Sequence, residues 1–310
     1  MLFVGGYGRS GSTILDMLLD RIPGITAVGE FRHLFGRALG DDELCSCGSP
    51  FNECEYWKAV IDHAFPHGFD RERVRHAMRA INRMVATPQV LHPALRTPSM
   101  RAHCRVYGEA FLAAYRAVLA VSEESVVVDS SKYPLHGLFL TSMPDVDLVG
   151  MLLVRDPRAV AHSWQRRRLR PEVHWERREM PRHSVLRSAL AWNVSNRLTE
   201  RIGKAGVDLR VQRYEDFVAK PLATLEEIAS FALGERGVRL TDAVFEADPG
   251  KPRHTIAGNP VRLGRGRVEV RPDIAWEAEM SPLKQAIVDI CCVRQMRRFG
   301  YRVAGERGAR

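Results

Sequence analysis

Short runs of unbroken apolar residues alternate along this chain with longer stretches whose apolar residues recur every three or four positions. The runs are Leu2–Gly6, Thr26–Val28, Ser125–Asp129, Leu148–Val154 and Asp208–Gln212. Runs of this kind read as strands buried on both faces, as in parallel sheets. The longer stretches read as helices. Ser12–Arg21 carries Ile14, Leu15, Leu18 and Leu19 on one face, and Pro23-Gly24 stops it. More helices are expected near 70–86, 99–121, 134–141, 158–169 and 184–204, and a last one carries Cys291-Cys292 on its apolar face. Alternation of strand and helix predicts an α/β fold, a P-loop-like parallel sheet with helices on both faces. The ligand of such a sheet lies beyond the carboxyl ends of its strands. Residues 1–310 read as one domain with three additions. These are a cysteine-bearing loop at 41–57, a helical insertion over about 58–121, and a C-terminal loop and helix over about 251–299. A polar, basic tail follows Phe299.

Two motifs sit where that rule puts a ligand. Residues 5–14 read Gly-Gly-Tyr-Gly-Arg-Ser-Gly-Ser-Thr-Ile, directly after Leu2-Phe3-Val4. A strand, a glycine-rich turn and a helix N-terminus in that order make an anion site, because backbone N–H groups point inward and the helix dipole favours negative charge. Counted from Gly6, the string fits G-x-x-x-x-G-K-[ST] at Gly11 and Thr13, but Ser12 stands where the lysine belongs. The loop's fixed cation is Arg9 instead, so a phosphate-bearing ligand other than ATP is expected. Arg9 and the backbone and hydroxyls of Ser10, Gly11, Ser12 and Thr13 would hold it. The second motif is Arg155-Asp156-Pro157, ending a strand, with Ser163 eight residues after Arg155. That is about two helical turns, so a strand-end arginine and a helix-face serine could bracket one phosphate. The bland alternative is a capped helix with solvated arginines.

Composition narrows the partners. The chain is 45% hydrophobic and 27% charged, an ordinary globular mix, with a formal net charge of +9. A basic balance suits an anionic ligand, a nucleic acid or an acidic surface. Many arginines fall between Arg155 and Arg187, but acids interrupt that stretch and only Trp164 and Trp175 interleave it, which argues against nucleic acid. The apolar start Met1–Val4 is too short for a secretory leader, and no apolar run approaches the ~20 residues that span a bilayer. A cytoplasmic protein with its six cysteines mostly reduced is the expectation.

Together the two motifs resemble the sulfotransferase superfamily, whose donor is 3′-phosphoadenosine 5′-phosphosulfate (PAPS). Its 5′-phosphosulfate loop resembles Arg9–Thr13, in the arginine form of the carbohydrate, tyrosylprotein and bacterial branches. Its 3′-phosphate site resembles Arg155 with Ser163. Further similar segments follow in order: Arg213-Tyr214-Glu215-Asp216-Phe217 with Pro221, then Gly258-Asn259-Pro260-Val261-Arg262, then Arg271-Pro272-Asp273 with Trp276. The resemblance implies a sulfuryl transfer from PAPS to a hydroxyl of a small-molecule or carbohydrate acceptor, with no metal required. It implies Glu30, in Val28-Gly29-Glu30, as the base that takes the acceptor proton, with His33 as the rival. A partly desolvated glutamate can be tuned toward neutral pKa for such work. It further implies Lys132, after Val128-Asp129-Ser130-Ser131, as the cation meeting charge on the leaving phosphate. Arg167 would add a second cation to the 3′-phosphate, Tyr214 would pack near the nucleotide, and Gly258, Asn259 and Arg262 would close over it. Residues 58–121 and 165–183 would wall the acceptor.

Cys45, Cys47 and Cys54 remain. Three cysteines in ten residues fit a zinc site lacking its fourth ligand, with His63 within reach in sequence, or a disulfide. Two other functions stay open. A small-molecule kinase would share the loop, and Asp129 could then hold Mg²⁺. A basic nucleotide- or nucleic-acid-binding module would use the arginines of 155–187.

Overall fold

A computed structural model describes residues 1–143, 145–235, 237–246 and 252–303. The end of the basic tail, 304–310, lies outside the described residues. Five parallel strands form the sheet: β1 (Leu2–Gly6), β2 (Ile25–Gly29), β3 (Val126–Asp129), β4 (Val149–Val154) and β5 (Leu209–Arg213). Their order is β2-β3-β1-β4-β5. Register runs Leu2 against Val128 on one side of β1 and Leu2 against Val149 on the other. Each strand was legible within a residue or two.

Alternate side chains feed opposite faces, as the period of two requires. Leu2, Val4, Val126, Val128, Met151 and Leu153 point into a core under α1 (Ser12–Leu19). Phe3 and Val127 face a second core, built by α2 (Glu55–Ala64), α3 (Arg71–Ile81), α4 (Thr87–Leu91), α5 (Pro98–Ser122) and α6 (Pro134–Leu140). Leu152 and Val154 face a third. That core gathers α7 (Pro157–Gln165) and α8 (Val185–Lys204). After β5 come α9 (Tyr214–Ala219) and α10 (Pro221–Leu233), which returns to the α1 side, then α11 (Trp276–Glu279) and α12 (Pro282–Arg298). Cys292 is fully buried on α12, in the third core. No helix among the described residues is long and apolar enough to cross a membrane.

Three helix ends differ from the sequence pattern: α3 stops at Ile81 rather than 86, and α1 and α7 also end early. α1 stops at Leu19 rather than Arg21, because the Asp20 carboxylate turns back to accept from the Ala27 N–H at 2.7 Å. α7 stops at Gln165 rather than 169: Arg166 adopts φ −69°, ψ 137°, and the chain leaves the helix. Residues 166–183 then form a strap in which Arg170 N–H donates to the Arg178 carbonyl at 2.8 Å and Met180 N–H to that of Arg168 at 2.8 Å. Buried Glu43 and Glu172 hold the strap through Arg37 and Arg170.

Candidate active site

The carboxyl ends of β1, β3 and β4 open onto a cavity of about 500 Å³. The loop after β1 forms its floor. Gly11, at φ 93°, is the N-cap of α1 and no side chain caps that helix, so N–H groups of its first turn are left for a ligand. A Cβ on Gly11 would lie 2.5 Å from the Tyr214 ring, so only glycine lets the loop pass there. Arg9 is itself left-handed, at φ 72°. Its guanidinium lies 4.8 Å over the Trp164 ring and donates to Met180 Sδ at 3.0 Å. Burial, then the charge of Arg168, lowers its pKa to about 10, which leaves it cationic at neutral pH.

Seven cationic side chains line this cavity (Arg9, Arg32, Arg37, Lys132, Arg155, Arg168 and Arg170). Lys132 and Arg155 pair with its two carboxylates, Glu30 and Asp273, and Arg37 and Arg170 pair with Glu43 and Glu172 outside the lining. Among the described residues, neither Arg9 nor Arg168 has a carboxylate within ion-pair distance. Such an excess of unpaired positive charge in a half-buried site fits a multiply charged anion. It therefore fits the phosphates that the sequence motifs called for.

Arg155 leaves the end of β4 with 5% exposure. It donates to the Arg9 carbonyl at 3.1 Å, pairs with Asp273 at 3.0 Å, and stacks under Tyr214 at 4.5 Å. Ser163, on α7, lines the same cavity, so both ends of the Arg-x7-Ser motif face one space. Gly258 and Asn259 lie across the floor, and Asn259 N–H donates to Thr13 Oγ1 at 3.3 Å.

Lys132 and Glu30 meet at the inner wall. Lys132, left-handed at φ 57° after β3, sends Nζ to Ser12 Oγ at 2.8 Å and to Glu30 Oε1 at 2.9 Å. His33 Nε2 lies 3.5 Å from Glu30 Oε2. Burial pushes the Glu30 carboxyl up, but Lys132, the His33 hydrogen bond and Arg37 outweigh it and hold the group well below the usual carboxylate range. The tuning toward neutral pKa expected from desolvation alone is thus reversed, because the lysine sits in contact. Burial, then the Arg32 charge, lowers His33 to about 4, so His33 is neutral at pH 7.

Four assignments from the sequence change. Arg167 lies on no helix face one turn past Ser163; α7 has already ended, its side chain is 73% exposed, and Glu179 lies 4.0 Å away. Arg168 lines the cavity in its stead. Arg262 is 1% exposed and donates to the carbonyls of Thr255 (2.9 Å) and Leu44 (2.7 Å), so it ties two backbones together and does not line the cavity. Ser10 is also outside the lining; its hydroxyl donates to the Tyr7 carbonyl at 2.5 Å and braces the loop. Asp129 is fully buried and accepts from Tyr115, Ser131 and His136, which closes it to any Mg²⁺.

A second cavity, about 750 Å³, adjoins the first and shares Gly8, Glu30, Arg32, Lys132 and Trp164 with it. Its lining includes apolar side chains exposed to solvent: Leu186, Leu190 and Val194 of α8, and Met84. Neither α8 nor Tyr133–Leu135 was expected there; the 165–183 strap walls the cationic cavity instead, and from 58–121 only Met84 enters. The sequence motifs give Arg32 no ligand-binding role, although it lines both cavities, lies 4.5 Å over Tyr133, and has a buried, unpartnered Nε. Only its nearness to Glu30 signalled it.

Residues 2–235 match the model of the Sulfotransferase family. Among solved structures, the chain is similar to the sulfotransferase domain of the olefin synthase of Synechococcus PCC 7002. The identity is 19% and the TM-score 0.52, over 98% of this chain and 95% of that one. The sulfotransferase of Alicyclobacillus acidocaldarius aligns at 14% identity and TM-score 0.38, over 98% and 97%. The first likeness is one of fold. No protein with a curated description matches.

Proposed function

Because the chain belongs to the sulfotransferase family, we propose that it transfers a sulfuryl group from PAPS to the hydroxyl of a small acceptor with an apolar body. One observation carries this reading. Glu30 and Lys132 stand where a cavity crowded with cations meets a cavity walled by leucine and valine. One domain, in a cytoplasmic setting that supplies the donor, would carry the whole reaction.

Bound in the cationic cavity, the donor supplies an activated sulfuryl group and a phosphate as its leaving group. Arg9, the N–H groups at the start of α1 and the Ser12 and Thr13 hydroxyls hold the phosphosulfate. Arg155 and Ser163 hold the 3′-phosphate, with Arg168 beside them and Tyr214, Gly258 and Asn259 bounding the nucleotide. Glu30 accepts the proton of the acceptor hydroxyl, and Lys132 meets the charge that grows on the leaving oxygen. The two roles are linked. In the resting site Lys132 lowers the proton affinity of Glu30, which makes it a weak base. An anion that draws Nζ away from Oε1 raises that affinity just when the acceptor must be deprotonated. His33, already neutral and hydrogen-bonded to Glu30, orients the carboxylate rather than replacing it.

An apolar groove favours a phenol or an aliphatic alcohol over a sugar, whose hydroxyls would lose water against Leu186, Leu190 and Val194 without gaining partners. Calorimetry tests the donor. Adenosine 3′,5′-bisphosphate should bind in the absence of metal, and ATP–Mg²⁺ should bind far more weakly. Tight ATP–Mg²⁺ binding with none of the bisphosphate would sink the assignment. Transfer of label from ³⁵S-PAPS to a panel of phenols, alkanols and sugars tests the acceptor class.

A further inference from the structure

Three cysteines and one histidine converge beside β2, and none of them lines either cavity. Cys45, Cys47 and Cys54 come from the loop at 41–57, but the fourth member is His254, not His63, which is exposed on α2. His254 Nδ1 lies 3.3 Å from Cys54 Sγ and 3.6 Å from Cys45 Sγ. The Sγ atoms of Cys47 and Cys54 are 3.7 Å apart, and all four ligand atoms fall within 4.8 Å of one another. Bonds of about 2.3 Å to sulfur and 2.0–2.1 Å to nitrogen put the corners of a tetrahedral site about 3.5–3.8 Å apart. A disulfide would instead need two sulfurs about 2 Å apart, and it would leave the third thiol and the imidazole without a role.

We propose that Cys45, Cys47, Cys54 and His254 hold one zinc ion as a structural site. Three thiolates and an imidazole are a soft donor set that suits zinc, and four protein ligands leave no open position for water or substrate. The three thiols give up their protons on binding, and the Cys₃His site carries one net negative charge. Arg265 lies against it, with Nη2 donating to the Cys47 carbonyl at 3.0 Å.

The surrounding backbone is arranged for it. Gly48, at φ 97°, turns the loop so that its N–H donates to the Cys45 carbonyl at 2.9 Å. Ser46, between two of the cysteines, grips the backbone on both sides of His254. Its hydroxyl donates to the Arg253 carbonyl at 2.8 Å and accepts from Thr255 N–H at 2.7 Å. Tyr56 stacks on the imidazole, centroids 4.5 Å apart at 13°. The segment so anchored continues to Ile256, whose carbonyl accepts from Glu30 N–H at 2.9 Å, and to Gly258 and Asn259 in the donor cavity. The ion would fasten the base and the floor of that cavity to the sheet edge without touching the reaction.

Elemental analysis of the reduced, purified chain should find about one zinc per molecule. Replacing it with Co²⁺ should give the visible bands of a tetrahedral site together with thiolate charge transfer. Cys47→Ser and His254→Asn, at half-buried positions, should each cut bound zinc about tenfold or more. Because the wild-type measurements need no variant, misfolding of either variant leaves the test intact. Three results would overturn the proposal. One is a metal-free chain from zinc-supplemented growth that gives no cobalt spectrum. Another is one zinc per molecule retained in both variants. The third is a Cys47–Cys54 disulfide in the freshly isolated protein, read by mass spectrometry of trapped thiols.

Discussion

The two cavities share five residues and little else. One carries seven cationic side chains, and the other is walled by Leu186, Leu190, Val194 and Met84. Charge concentrated on one side orients an anion over a long range; apolar surface on the other rewards any molecule able to leave water. Under the proposed function neither side would do chemistry alone, and reaction would be confined to their seam, where Glu30 and Lys132 are within 2.9 Å of each other. The division teaches that affinity and turnover should separate cleanly by mutation.

The strongest way to break the comparison is at the seam. Glu30→Gln should lower kcat by about 10²–10⁴ while leaving affinity for adenosine 3′,5′-bisphosphate within a few fold, by steady-state assay and calorimetry. Near-normal turnover would remove Glu30 as the base and bring His33 forward. One step out, on the cationic side, Arg155→Ala should weaken bisphosphate binding by about 10–100-fold. That corresponds to losing charge-assisted hydrogen bonds worth about 1.5–3 kcal/mol. Its effect on acceptor KM should be small. On the apolar side, Leu190→Ser should raise acceptor KM by about three- to tenfold through lost burial, with bisphosphate affinity unchanged. If both ligands weakened together in either variant, the two cavities would not be separable sites.

The smallest effect concerns pH. His33 has its pKa depressed to about 4 in the folded chain, against 6.5 when unfolded. Between those values the unfolded chain holds a proton that the folded chain does not, so stability falls as pH drops through that window. Glu30, also depressed, contributes stability above its unfolded carboxylate value of 4.5, and this is lost only as pH falls further. Thermal melts of His33→Asn should therefore show a shallower loss of Tm between pH 6.5 and pH 4, by about a few degrees. Parallel curves for the two proteins would show that His33 is not buried neutral.

Legibility differed between the two cavities for a physical reason. Arg9, Gly11, Arg155 and Ser163 sit in contiguous motifs whose spacing follows from a strand, a turn and a helix. Their convergence on one cavity was therefore readable from the chain. The apolar cavity has no such grammar. Leu186, Leu190 and Val194 repeat at helical spacing, which reads as a face toward a core, and only the packed structure leaves that face exposed. Arg167 and Arg168 show the limit within a motif. In a run of three arginines, the end of α7 at Gln165 rather than 169 decides which side chain enters the cavity and which points to solvent. Glu30 shows it for electrostatics. Desolvation was foreseeable, whereas a lysine 2.9 Å away that reverses its effect was not.

By itself the sequence determined the parallel α/β scheme, because the period of each apolar run is a local property of the backbone. It also determined the glycine-rich turn between β1 and α1, where Gly11 takes the positive φ that precedes the helix. Only the tertiary structure decided what distant segments do to one another. It brought His254 to three cysteines about 200 residues earlier (|i−j| = 200 for Cys54), put α8 beside Glu30, and shut Asp129 away behind Tyr115 and His136. Such meetings depend on how whole elements pack, and no local pattern encodes them.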